Sequence, residues 1–288
     1  MTVTTLIVAI GTVVIMVYSG LLFEPQLMRQ QLVKSGMWLS LVQLSAVNYL
    51  LMPLATLVLI WQIPSPPGLN LAMLTLAFMP CAPVVPLLVN ASGEPAEWPM
   101  FVFLVFSAFG LLLIPVMAAL FPQPWAAGMY AELADDSVTR LIAFAVLSYL
   151  PLLLGIVFRV IAPGPGVTLR NTLRPYVSVC TIVTLGTVFV ANFQQVMNVT
   201  LHDLLVMLLF IMVAAATGYA LGPRMQGAPM NAILPTGFRN VALALTFANI
   251  VFPHTDASSF LFTMSMVMLT LTYITFNVLK RLRTDATA

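Results

Sequence analysis

Charge is scarce in this chain. Only 7% of its residues are Asp, Glu, Lys or Arg, whereas 61% are hydrophobic and the mean hydropathy is +1.03. So few charges cannot cover the surface of a soluble protein of 288 residues. The composition therefore excludes a soluble domain and predicts an all-α polytopic membrane protein, built as one domain over residues 1–288.

Cysteine is scarce as well. Cys81 and Cys180 are the two cysteines of the chain, and both lie in apolar segments. They argue against a disulfide framework, and their spacing matches no zinc site. The sequence also shows no nucleophile–base pair, no metal-ligand spacing and no Gly-rich phosphate loop. We therefore expect neither an enzyme, nor a cofactor, nor a nucleic-acid partner.

What the chain does have is nine apolar segments, each close to the roughly 17 to 25 residues that a membrane-spanning helix needs. The first has no basic residue before it, so we interpret it as a span and not as a cleaved signal peptide. The segments are residues 4–23, 38–61, 69–90, 98–121, 138–162, 175–194, 200–222, 229–252 and 258–280.

Basic residues predict the orientation, because cytoplasmic loops of membrane proteins are enriched in Lys and Arg. With the N-terminus outside, only Arg140 falls on the outer side and only Arg239 lies inside the membrane. We expect an integral protein of a bacterial inner membrane with its C-terminus in the cytoplasm. The cytoplasmic side then carries Arg29, Lys34, Arg159, Arg170, Arg174, Arg224, Lys280, Arg281 and Arg283.

Arg239 is the most informative residue. It lies near the middle of Pro229–Phe252, roughly 15 Å of helix from each interface at 1.5 Å per residue. All nine acidic residues fall in loops or at span ends, so no carboxylate is expected at its depth. A cation at mid-membrane must face protein, water or a ligand. It indicates either a transport pathway or a structural ion held by backbone carbonyls.

Two of the nine segments contain helix breakers near their centres. Proline removes backbone donors, and an interrupted helix at membrane depth occurs where the loosened backbone is buried or lines a cavity. Two such helices in matching halves of a chain are typical of a transporter binding site. The breakers are Pro80, Pro83 and Pro86 in the third segment, and Pro235 and Gly237 in the eighth.

These segments carry a resemblance to the bile acid:sodium symporter superfamily. Thr236–Leu245 is similar to that family's Gly-x-Gln-Asn-x-x-Leu-Ala stretch, and Asn48–Pro53 to its Gln-Phe/Tyr-x-x-Met-Pro. Leu150–Arg159 is similar to the family's Pro-x-x-x-Gly stretch, and Ala91–Glu94 to its Ala-Lys-Gly-Asp. The resemblance implies an inverted repeat with panel and core subdomains. It also implies two broken helices that cross in the core, here in a nine-helix form.

The family's sodium sites are altered in this chain. A guanidinium repels a cation, and valine and proline offer no side-chain oxygen, which sodium prefers as a ligand. We therefore do not expect sodium to bind, and we expect Arg239 to act as a tethered cation in its place. The family's sodium-site positions are occupied by Val84, Val85, Trp98, Val102, Pro235 and Arg239.

Our leading hypothesis is a sodium-independent secondary transporter of a small organic anion. Arg239, Asn240, Asn48 and Thr236 would bind the substrate, and the loosened backbone between Pro83 and Pro86 would line the cavity. Two alternatives stay open. One is sodium symport through backbone carbonyls, and the other is a structural or regulatory relative that does not transport.

The orientation can be tested with reporters fused after the last basic residue, Arg283. A C-terminal fluorescent protein that folds only in the cytoplasm should be bright, and a C-terminal alkaline phosphatase, active only in the periplasm, should be inactive. The reverse pattern would contradict the predicted orientation, and an even number of spans would then have to be considered.

Overall fold

The computed structural model describes residues 3–33, 36–82, 85–91, 97–120, 137–191, 193–221, 230–252 and 255–287. Within these ranges the chain is almost entirely helical and contains no β-strand, which confirms the predicted all-α class. One isolated antiparallel β-bridge joins Cys81 and Arg239.

The described residues form the following helices. In chain order they are α1 (Val3–Leu21), α2 (Pro25–Val33), α3 (Met37–Ala46), α4 (Met52–Gln62), α5 (Pro67–Phe78), α6 (Val85–Ala91), α7 (Glu97–Leu120), α8 (Ser137–Ile161), α9 (Pro163–Ala191), α10 (Phe193–Met197), α11 (Leu201–Leu221), α12 (Met230–Gly237), α13 (Val241–Val251) and α14 (Ala257–Thr287). A π-helical turn, Val47–Leu51, joins α3 to α4 in one continuous helix.

Five helices among the described residues are long and apolar enough to cross a bilayer. They are Met37–Gln62, Ile142–Ile161, Pro163–Ala191, Leu201–Ala220 and Ala257–Thr275. The shorter apolar helices Leu6–Leu21, Pro67–Phe78, Trp98–Ser107 and Val241–Val251 fall in the remaining predicted segments. This set of helices fits an integral membrane protein.

The sixth predicted segment begins earlier than expected. The span was predicted over residues 175–194, but α9 already begins at Pro163. A helix can begin there because proline is tolerated in the first turn, where backbone N–H groups have no helical acceptor. Pro175 then lies inside α9.

The third and eighth segments are each interrupted near the middle. α5 ends at Phe78 and α6 begins at Val85, while α12 ends at Gly237 and α13 begins at Val241. Pro80 lies in the first interruption, and Pro86 lies in the first turn of α6, where a missing N–H is harmless. Pro235 lies inside α12. Pro83 is outside the described residues.

The helices pack in two groups. The first group is α1, α8 and α9, which lie along one another, and the second is formed by α3 to α7 and α11 to α14. α13 of the second group contacts both α1 and α8 of the first. The two interrupted helices belong to the second group, and one of them faces the first group.

Two glycines bring α1 and α8 together. A Cβ added at Gly20 would lie 2.2 Å from Leu152 O, and one added at Gly155 would lie 2.4 Å from Val17 O. Both distances are far shorter than a van der Waals contact with backbone, which cannot move aside easily. Small residues that allow close backbone approach are a common basis of helix association in membranes.

Gly155→Ala should therefore destabilise the protein by about 1–3 kcal/mol, the usual cost of overpacking a close contact. The measurement is the melting temperature of the purified protein in detergent. Gly186→Ala is the matched control, because a Cβ added at Gly186 has no neighbour within 4 Å. Equal melting temperatures for the two variants would contradict the close helix contact.

Candidate functional site

The two helix interruptions meet backbone to backbone. Ala82 N donates a hydrogen bond to Phe238 O at 2.7 Å, and Asn240 N donates one to Pro80 O at 2.8 Å. Breaking a helix leaves backbone groups without partners, and inside a membrane each such group must be satisfied by protein or ligand. The short antiparallel pairing of the two interruptions satisfies four of them and fixes where the two helices cross.

Arg239 lies on this pairing and is buried, with 1% of its surface exposed. Its Nη1 donates a hydrogen bond to Met79 O at 3.0 Å, immediately after the C-terminal end of α5. The C-terminal end of a helix carries partial negative charge, so it stabilises a cation placed there. None of the salt bridges between described residues involves Arg239.

The other two nitrogen atoms of the Arg239 guanidinium, Nε and Nη2, make no hydrogen bond to the described residues. Together they form one edge of the planar group, and their N–H bonds point in nearly the same direction. Such an edge matches the two oxygens of a carboxylate, and it can bind an anion through two charge-assisted hydrogen bonds.

Asn48 and Thr236 lie together beside the interruption of the eighth segment. Asn48 Nδ2 donates hydrogen bonds to Leu44 O at 2.8 Å and to Thr236 Oγ1 at 3.3 Å, while its Oδ1 has no partner among the described residues. Both side chains are 0% exposed. Asn48 also lies on the π-helical turn, a local widening that is frequent at functional sites.

Asn240 also makes a structural hydrogen bond that the sequence pattern did not predict. Its Oδ1 accepts a hydrogen bond from Leu243 N at 3.1 Å, which caps the N-terminus of α13. Asparagine is among the preferred residues at this position because its side chain satisfies an otherwise free N–H. The structure therefore assigns Asn240 a structural contact in addition to the substrate contact predicted for it.

Three of the positions that the resemblance implies for the family's sodium sites lie in apolar surroundings. Val85 and Val102 are both 0% exposed and pack in one cluster with Ala232 and Leu234 of α12. Trp98 packs against the same cluster, and its indole Nε1 has no partner among the described residues. Pro235 is buried in α12, and Val84 lies outside the described residues.

The sequence pattern also missed Tyr49 and Cys81. Tyr49 Oη donates a hydrogen bond to Phe106 O at 2.8 Å, and the phenol and the Cys81 thiol are both within electrostatic reach of Arg239. Cys81 is paired with Arg239 in the β-bridge. The only signal in the sequence was the position of Tyr49 directly after Asn48 and of Cys81 directly after Pro80.

No protein family model matches this chain, and no curated protein matches it either. The resemblance to the bile acid:sodium symporters thus stays a prediction, carried by the quoted motifs and their order along the chain.

The apolar surroundings of Val85 and Val102 predict that sodium does not stabilise this protein. A ligand that binds only the native state raises stability by about 2.7 kcal/mol at a hundredfold excess over its Kd. Replacing sodium with choline at constant ionic strength should leave the melting temperature in detergent unchanged. A fall of several degrees in choline would instead indicate a sodium site built from backbone carbonyls.

Proposed function

We propose that the protein is a sodium-independent secondary transporter of small organic anions, with Arg239 as its anion-binding cation. The observation that carries the proposal is the Nε–Nη2 edge of a buried guanidinium, which has no partner among the described residues and lies at the crossing of two interrupted helices. A buried cation without a counter-charge is costly, so an anion that fills this edge gains strong, oriented hydrogen bonds.

The same residue accounts for independence from sodium. At the crossing, the C-terminal end of α5 presents carbonyl groups that carry partial negative charge. A bound sodium ion could offset that charge, and the guanidinium of Arg239 offsets it permanently through its contact with Met79 O. The apolar surroundings of Val85 and Val102 support the proposal, because they offer no oxygen for a sodium ion.

The architecture that we propose around this site has nine membrane spans arranged as an inverted repeat. Five long apolar helices and four shorter ones occupy the nine segments, and two of the segments are interrupted in corresponding places. The separation of α1, α8 and α9 from the other helices is consistent with a panel that moves against a core. The excess of Lys and Arg in alternate loops supports an external N-terminus and a cytoplasmic C-terminus.

One observation favours a second candidate function. The hydrogen bond from Arg239 Nη1 to Met79 O also fits a purely structural cation that braces the crossing in a protein without transport. The two candidates make opposite predictions about the guanidinium. In the structural case, replacing a buried charge with an apolar side chain is often neutral or stabilising.

Arg239→Ala should abolish uptake of anions into proteoliposomes, and Arg239→Lys should fail to restore it, because an ammonium cannot reproduce the planar fork. Hydrogen bonds to charged groups contribute about 1.5–3 kcal/mol each, so losing one lowers affinity roughly 10- to 150-fold. Arg239→Gln introduces the residue that the resemblance implies for this position. Uptake by this variant should still not depend on sodium, because Pro235 supplies no carboxylate.

The control is Arg174→Gln, which removes a positive charge from an exposed position on α9 and should leave uptake unchanged. The assay uses benzoate, benzenesulfonate and taurocholate, with sodium or choline outside. Full uptake by Arg239→Ala or Arg239→Met, together with a higher melting temperature, would establish the structural role instead. Uptake that requires sodium would establish symport.

A further inference from the structure

Tyr149 of α8 is a buried phenol that no described contact explains. It is 4% exposed, and its hydroxyl has no hydrogen-bond partner among the described residues. Burying a hydroxyl without a partner costs stability, since the group gives up its hydrogen bonds to water. A phenylalanine would fill the same space without that cost. The packing of the described residues therefore does not explain why this position has a hydroxyl.

The hydroxyl lies close to the crossing of the interrupted helices. A Cβ added at Gly110 would lie 3.5 Å from Tyr149 Oη and 3.4 Å from Pro80 Cδ, so the phenol and the proline flank the same glycine. Pro80 is the residue whose carbonyl accepts from Asn240, and its neighbour Met79 accepts from Arg239.

Tyr149 reaches this place from the other helix group. α8 belongs to the first group, while Arg239, Asn48 and Thr236 belong to the second. Beside the phenol lie aromatic rings: Phe144 is 6.2 Å from Tyr149 between centroids and 5.1 Å from Phe247, both edge to face. These rings hold the phenol in place, and its hydroxyl is the polar end of the cluster.

We propose that Tyr149 is a substrate-binding residue that donates a hydrogen bond to the carboxylate held by Arg239. The ligand is a monocarboxylate. This inference rests on the proposed function, and it adds a residue of α8 to the contacts of the bound anion. The carboxylate then contacts both groups at once, so its binding depends on how they are arranged.

The test compares Tyr149→Phe with the unmodified protein, using benzoate as the probe. The KM for benzoate uptake should rise roughly 10-fold, as expected for one lost hydrogen bond to a charged group, with little change in kcat. The stabilisation of the protein by benzoate in detergent should shrink as well. Without benzoate, the melting temperature should be equal or higher, because an unpartnered buried hydroxyl has been removed.

The matched control is Tyr273→Phe, the same substitution at a tyrosine of α14 that is 72% exposed, and it should change none of these quantities. Benzyl alcohol, which has the ring without the charge, should stabilise neither protein. Benzenesulfonate distinguishes a carboxylate site from a general anion site.

The outcomes separate this inference from the proposed function. Uptake of benzoate with an unchanged KM in Tyr149→Phe overturns the role of Tyr149 alone. Stabilisation by benzoate that depends on Tyr149, without any uptake, supports the binding site and overturns transport. A lower melting temperature with an unchanged benzoate effect shows that the hydroxyl is structural. Neither uptake nor stabilisation of the unmodified protein by benzoate overturns both.

Discussion

The backbone pairing between the two helix interruptions is the constraint on which the candidate site depends. Inside a bilayer a broken helix has no water to satisfy its free N–H and C=O groups, so the groups of one interruption bind those of the other. The pairing of Cys81 with Arg239 brings residues more than 150 positions apart to one point. It also carries the guanidinium of Arg239 to the end of α5, where carbonyl dipoles stabilise a cation. The pairing therefore explains how the charged side chain of Arg239 comes to be buried.

The surroundings of the crossing separate into an apolar and a polar part. On one side, Val85 and Val102 pack with residues of α12 in a cluster that offers no side-chain oxygen. On the other, Asn48 Oδ1, Arg239 Nε and Arg239 Nη2 have no partners among the described residues. Several unsatisfied polar atoms near one another are expensive in a protein interior, where a single one already costs about 1–3 kcal/mol. An anion with two oxygens could satisfy Arg239 Nε and Nη2 together, whereas Asn48 Oδ1 is an acceptor and would need a donor.

The contacts within the first helix group differ from those between the two groups. Gly20 and Gly155 allow α1 and α8 to touch backbone to backbone, which makes the first helix group rigid at that level. Between the two groups, contact is made chiefly by α13 against α8 and α1, through side chains such as Phe144 and Phe247. A side-chain interface of this kind rearranges more easily than a backbone contact, so one group can move against the other while each keeps its own packing. This difference suits a transporter whose substrate contacts both groups.

Much of this arrangement follows from local properties of the sequence. Scarce charge and nine apolar segments indicated a helical membrane protein, and Pro80, Pro86, Pro235 and Gly237 indicated which two segments are interrupted, although Pro235 itself lies inside α12. Local pattern did not reveal that α9 begins at Pro163, before the predicted segment 175–194, or that Asn240 caps α13. The pairing of Cys81 with Arg239, the guanidinium edge without a partner among the described residues and the approach of Tyr149 toward Pro80 were decided only by the tertiary structure. Each is a contact between elements far apart in the chain, and the spacing of residues along one segment carries no information about which distant segment will lie beside it.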